Sequence, residues 1–219
     1  AHLPPTHPVK LVTSDSESDD IDRVVNFICE LRGVDKINLL GWSGGGIRTG
    51  TYTVRHQEKV GKLIIFASSN YDRSNPDRPP ATLPEPGHPM TFQTRAVGID
   101  QRWGDTVKFD GQVEPGLREI VWKQTVETDR VGASWGPGGL RAPTRTYWGW
   151  NAKSAASITI PVLIMVGEYD RLLPSNIQLF EDLGSDRKLF IEVKGASHFM
   201  QWELQRRILH RGSREWLES

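Results

Sequence analysis

Three side chains in this sequence have the types and settings that attack on a carbonyl carbon requires: an alcohol at Ser43, an imidazole at His198 and a carboxylate at Asp170. Ser43 lies in Gly41-Trp42-Ser43-Gly44-Gly45, a G-x-S-x-G string. A short apolar run, 37–40, leads into it and a helical pattern leads out. A strand-to-helix turn of that tightness holds its serine in a strained backbone conformation and presents the hydroxyl above a sheet edge. Glycines on either side keep other side chains out of the turn. The free N–H groups at the start of the following helix can stabilise an oxyanion. A plain glycine-rich turn is the bland alternative, and it leaves the other two residues unexplained.

Serine is a weak nucleophile at neutral pH and needs a base. Gly195-Ala196-Ser197-His198-Phe199 supplies one, in a loop between an apolar run and the last helical segment. The other histidines fit worse. His2, His7 and His88 lie in Pro-rich stretches, His210 falls inside the last helical pattern, and His56 ends the helix after the serine turn. The imidazole needs an acid to fix its tautomer. The run 162–166 ends in Gly167-Glu168-Tyr169-Asp170-Arg171, and Asp170 is the first choice. Glu168 stands nearer the strand and reads as a structural or rim residue. Asp72, after an earlier strand, is the runner-up. The chain order is then Ser, Asp, His.

These residues need a frame. Strand and helix patterns alternate through 15–70 and again through 158–219, which argues for a parallel sheet with crossover helices. The domain reading is a core part, 1–70, an insertion, 71–157, and a second core part, 158–219. Ile21, Val24, Val25, Ile28 and Leu31 form one apolar helical stripe. Ser14 or Ser16 caps it, Asp19 and Asp20 suit its N-terminal end, and Gly33 stops it. Buried strands are expected at 37–40, 63–67 and 162–166, and a fourth strand at 189–193. A helix runs from the serine turn through Tyr52 and Val54. Another opens at Pro174 and carries Ile177, Leu179, Phe180 and Leu183. A last one covers 199–217, with Trp202, Leu209 and Trp216 among its apolar positions. The insertion shows two helical patterns, 90–103 and 115–128. It holds Trp103, Trp122, Trp135, Trp148 and Trp150, five of the eight tryptophans. An indole suits a core or a ligand pocket, so both uses stay open for each.

Bulk properties remove several function classes. Lys plus Arg and Asp plus Glu are equal at 27 each, so no basic excess points to nucleic acid. The longest apolar runs fall well short of the ~20 residues of a membrane span. Cys29 is the single cysteine, which excludes an intrachain disulfide and a cysteine-based metal site; among apolar neighbours it reads as a core filler. The opening AHLPPTHPVKLV lacks the pattern of a signal peptide. The sequence leaves the compartment open, with the cytoplasm slightly favoured.

With these motifs in place the sequence resembles the α/β-hydrolase superfamily. The resemblance is carried by INLLGWSGGG (37–46), PVLIMVGEYDRLLP (161–174) and KGASHFMQWE (194–203). It implies a mostly parallel sheet with flanking helices and a helical cap at 71–157. It also implies Ser43 as nucleophile, Asp170 as acid, His198 as base and the Gly44 N–H as an oxyanion donor. The implied activity is cleavage of a small-molecule carboxylic ester, by a carboxylesterase or a lactonase, without metal or cofactor. A thioesterase, an acyltransferase or a non-catalytic ligand-binding protein on the same fold is the alternative. Trp42, Trp148, Trp150 and Phe199 are candidate substrate contacts. The sequence departs from the superfamily in one respect. Only four core strands are visible, the serine turn comes early, and no second oxyanion loop precedes it. The early strands are therefore expected to lie elsewhere, in an N-terminal part of the same protein, as a separate chain after cleavage or a further segment, or else to be deleted. Strand 37–40 is expected at an open apolar sheet edge.

Overall fold

The computed structural model describes residues 8–219. Residues 1–7, with His2, His7 and most of the opening stretch, lie outside the described residues. Strand β1 (Val12–Thr13) runs directly into α1 (Ser14–Arg32). The cap of α1 is Thr13, one residue before the expected serines. Thr13 keeps an extended backbone at φ −130°, its hydroxyl accepts from the Ser16 N–H, and the Ser16 hydroxyl accepts from the Thr13 N–H. That reciprocal pair is a capping box with serine in the third position. Gly33 ends the helix at φ 63°, a left-handed conformation that glycine adopts without a Cβ penalty.

β2 (Ile37–Trp42), α2 (Gly44–Arg55) and β3 (Val60–Phe66) then form a parallel crossover unit. The chain next leaves the sheet. It forms β4 (Met90–Gln93), α3 (Leu117–Thr128), α4 (Arg130–Ala133), β5 (Leu140–Pro143), β6 (Arg145–Thr146) and α5 (Ala152–Ala156). It returns with β7 (Val162–Gly167), α6 (Leu173–Asp182), β8 (Lys188–Val193) and α7 (Arg206–Glu218). The sheet order is β2-β3-β7-β8, all parallel. Leu63, Ile64 and Ile65 of β3 and residues 162–166 of β7 are fully buried. A strand covered on both faces reads as a continuous apolar run, which is why these two were the plainest strands in the sequence. Among the described residues no helix is long and apolar enough to cross a membrane.

Three local expectations need correction. The stripe on α1 is not buried as a whole: Val25 is, but Val24 and Leu31 are exposed, and so is Phe27. β2 is the sheet edge and leaves Leu40 52% exposed, so strand 37–40 is only partly buried. The pattern at 90–103 is not one helix. Residues 90–93 pair antiparallel with β5, Phe92 opposite Arg141, and a π-helical turn, Ala96–Gln101, follows. Pairing with a strand 50 residues away is a tertiary choice that local periodicity does not encode. Finally, 199–217 is interrupted. A 3₁₀ turn, Met200–Trp202, is followed by an extended Glu203 at ψ 178°, and α7 begins only at Arg206. The break lets the Glu203 side chain turn inward, with consequences for His198.

Candidate active site at the carboxyl end of the sheet

β2 delivers Trp42 at its end, and Ser43 follows at φ 52° and ψ −118°. Positive φ is uncommon for a residue with a Cβ and marks backbone held by its surroundings. The hold is visible. The Ser43 N–H donates to the Phe66 carbonyl of β3 (2.9 Å), and the Ser43 carbonyl accepts from the N–H groups of Gly46 (2.9 Å) and Ser69 (3.0 Å). Gly41 is required by close approach, since a Cβ there would lie 2.3 Å from Thr49 Oγ1 and 2.4 Å from the Gly45 carbonyl oxygen. Gly44 is the first residue of α2, so its N–H has no acceptor within the helix. The turn therefore offers a partly exposed hydroxyl beside a free backbone donor at the positive end of a helix.

Asp170 and His198 come from the turns after β7 and β8. His198 Nδ1 and Asp170 Oδ2 are 2.8 Å apart, with the Asp170 side chain fully buried and the His198 side chain 19% exposed. The second carboxylate oxygen accepts the Leu172 N–H at 2.9 Å. An ionised carboxylate accepts and does not donate, so with Asp170 ionised Nδ1 is the donor of this pair, and a neutral ring then leaves Nε2 as an acceptor. The sheet brings the ring to Ser43: the Trp42 indole N–H donates to the His198 carbonyl (3.0 Å), and the two rings are 5.4 Å apart. Ser43 and His198 thus share one rim of the sheet. Among the described residues Ser43 Oγ and His198 Nε2 make no hydrogen bond to each other, an openness common before substrate is bound.

The turn carrying His198 is braced by residues that the sequence did not single out. Glu203 is fully buried and accepts from the Ser197 N–H (2.8 Å), the Ser197 hydroxyl and the Trp103 indole N–H (3.1 Å). A buried carboxylate is tolerated because every donor facing it is used. Trp103 also stacks on Phe199 at 5.1 Å, so the insertion reaches into the histidine turn. Glu168 accepts the Gly195 N–H at 2.9 Å. That backbone bond, with the nearby Lys194 ammonium, holds its carboxyl below the usual range. Glu203 stands five residues after His198 in a motif already of interest. An acid at the apparent first turn of a helix was the available signal, but helix capping would have explained it equally well.

Other candidates fall elsewhere. Asp72 is bound by the N–H and hydroxyl of Ser74 in an exposed turn. His56 stacks on Tyr52, and His210 lines a surface groove with Leu40 and Trp202. Trp148 lines a cavity of about 300 Å³ with Thr51, Val54 and Lys153. Trp150 is fully buried against α2, where a Cβ at Gly50 would come within 2.3 Å of its ring, and Trp148 is buried beside the cap of α1. Among the residues lining that cavity are none of Ser43, Asp170 and His198. Trp42 and Phe199 do stand beside His198, with ring centroids 5.4 Å and 5.5 Å from the imidazole.

Comparison with known proteins agrees with this architecture. A 57-residue stretch, 26% of the chain, is 40% identical to the poly(3-hydroxyalkanoate) polymerase subunit PhaC of Allochromatium vinosum and spans only 16% of that protein. The monoacylglycerol lipase of Paleococcus ferrophilus superposes with a TM-score of 0.56 at 19% identity, covering 95% of this chain and 76% of that one. Naproxen esterase from Bacillus subtilis superposes at 0.53 and 16% identity, covering 98% and 69%. At such identities the likeness is one of fold. Residues 4–204 match the family described as alpha/beta hydrolase fold, and the chain belongs to that family.

Proposed function

We propose that the protein is a serine hydrolase that cleaves carboxylic esters, open-chain or lactone, through an acyl-enzyme on Ser43. The observation that carries the reading is the buried Asp170–His198 pair at 2.8 Å on the rim where Ser43 is held at positive φ. In the proposed reaction His198 Nε2 takes the Ser43 proton as Oγ attacks the carbonyl carbon. The Gly44 N–H receives the oxyanion. His198 then protonates the departing alcohol, and in the second half it deprotonates the water that releases the acid. Asp170 holds the ring in the Nδ1–H tautomer and stabilises the imidazolium. The insertion 71–157 is proposed as a cap that anchors the histidine turn through Trp103.

Reaction with a fluorophosphonate, followed by peptide mapping, tests the nucleophile. Label on Ser43 that is lost in S43A, with turnover of simple aryl esters, is the expected result; an unlabelled Ser43 in folded protein removes the reading. Transfer of the acyl group to an acceptor other than water is a second reading. Its support is the 40% identity with a polymerase subunit over 57 residues. Products formed in the presence of added alcohols or thiols decide between the two. The open edge at β2, with Leu40 and the α1 residues Val24, Phe27 and Leu31 exposed, supports a further proposal: that a polypeptide segment beyond this chain covers it. Sedimentation of the purified chain tests this, and a stable monomer with that edge bare counts against it.

A further inference from the structure

Beside the Ser43 turn lie two arginines that the proposed reaction does not use. A Cβ on Gly44 would stand 3.1 Å from Arg145 Nη2 and 3.6 Å from Arg48 Nη1. Arg145 comes from β6 and its side chain is only 13% exposed; Arg48 comes from the first turns of α2. Both guanidinium groups lean on one acid, Glu17 of α1: Arg48 Nε donates to Glu17 Oε1 at 2.6 Å and Arg145 Nη1 at 3.3 Å. Among the described residues Arg145 Nη2 and Arg48 Nη1, the two groups facing Gly44, have no hydrogen-bond partner.

Two cations and one anion leave an excess positive charge beside the N-terminus of α2. That end of a helix is already positive and repels cations. A largely buried, half-satisfied arginine there gains strongly from an anion. Glu17 is shared between the two guanidinium groups, and among the described residues no second acid is bonded to either. Arg145 also borders a cavity of about 810 Å³ with Lys10, Arg78 and Tyr147. The two acids on that wall are engaged, Glu85 by Lys10 and Asp77 by Lys153. The arginines approach Gly44 from the direction its Cβ would take, whereas its N–H points elsewhere from the same residue. Standing on the Cβ side of Gly44, they suit an anionic substituent of the substrate.

We propose that Arg145, assisted by Arg48, binds a carboxylate on the acyl part of the substrate, so that the substrate class is monoesters of short dicarboxylic acids. The acyl part is favoured because it stays in the site through both acylation and deacylation. The proposal rests on Ser43 being the nucleophile, and two measurements keep the two ideas separate. Binding of glutarate to S43A, by calorimetry, reports the anion site without any turnover. Hydrolysis of methyl 4-nitrophenyl glutarate, a neutral diester, reports the hydrolase reading without the anion.

The expected result is glutarate binding to S43A that weakens at least tenfold when R145Q is added and partly returns with R145K. In the active protein, kcat/KM for 4-nitrophenyl hydrogen glutarate should exceed that for the neutral diester. R145Q should lower that preference at least tenfold, chiefly through KM, and added salt should lower it too. Glutarate binding absent from folded S43A, or unchanged by R145Q, overturns the proposal even if the neutral diester is cleaved. Equal losses on both esters in R145Q, carried in kcat, overturn it in favour of a role for Arg145 at the oxyanion. Glutarate binding without cleavage of either ester leaves the anion site standing and removes the hydrolase reading.

Discussion

The two halves of the candidate site are held in different ways. The acid–histidine half is finished by contacts within the described chain. Asp170 is buried and bound on both oxygens, and the turn around His198 is gripped by Glu203, Glu168, Trp42 and Trp103. The serine half is fixed through its backbone, by β3 and the loop after it, while its hydroxyl and the Gly44 N–H stay free. It also lies at the end of the edge strand, next to two incompletely paired arginines. The contrast fits the work proposed for each half. A base must keep one tautomer and one orientation through the cycle, so it is braced. A nucleophile and an oxyanion donor must remain available, so their polar atoms are left without partners and the strain is carried by the main chain.

Substitutions can break or sharpen that comparison. The largest effect is expected from D170N, which keeps the shape but favours the wrong imidazole tautomer. Ester turnover should fall by ~10⁴-fold while folding is retained, as read by kcat and circular dichroism. A drop of less than tenfold would mean that the braced half is not the catalytic base. E203A comes next. It strands the Ser197 N–H and hydroxyl and the Trp103 indole N–H in a buried space, and should cost on the order of 3 kcal/mol in denaturant unfolding. Turnover should fall with it because the histidine turn loosens. W42F removes one hydrogen bond to the His198 carbonyl and keeps an aromatic ring. About 1 kcal/mol of stability is expected to go, with slower fluorophosphonate labelling of Ser43.

The smallest effect is expected from E168Q and should depend on pH. The Glu168 carboxyl is held below its ordinary range by the Gly195 N–H. Its stabilising contribution is present above the unfolded-state pKa and is lost as pH falls through the lowered folded-state value. The difference in unfolding midpoint between E168Q and the parent protein should therefore be visible at neutral pH and shrink in acid. A difference that persists in acid would place the effect in packing and not in the charge.

Reading these residues from sequence worked where the chemistry is local. β3 and β7 were legible because a strand buried on both faces is an uninterrupted apolar run. The serine turn was legible because tightness demands glycine at 41, whatever the rest of the fold does. Asp170 and His198 were legible as candidates because each follows such a run. The failures share one cause. Residues 90–93 became a strand through pairing with 140–143. Glu203 left the helical pattern to satisfy donors at Ser197 and Trp103, one of them a hundred residues away. In each case a contact between distant segments outweighed a local preference worth only a few tenths of a kcal/mol per residue.

The sequence by itself determined the alternation of strands and helices, the glycine turn around Ser43 and the order of serine, acid and histidine, because periodicity and backbone sterics act over a few neighbouring residues. The tertiary structure alone decided that Asp170 meets Nδ1 of His198, that Glu203 and Trp103 lock the histidine turn, and that Arg145 comes to rest beside Gly44. Those outcomes depend on how strands register across the sheet and how the insertion folds back onto it, and burial and charge pairing settle both only once the whole chain is in place.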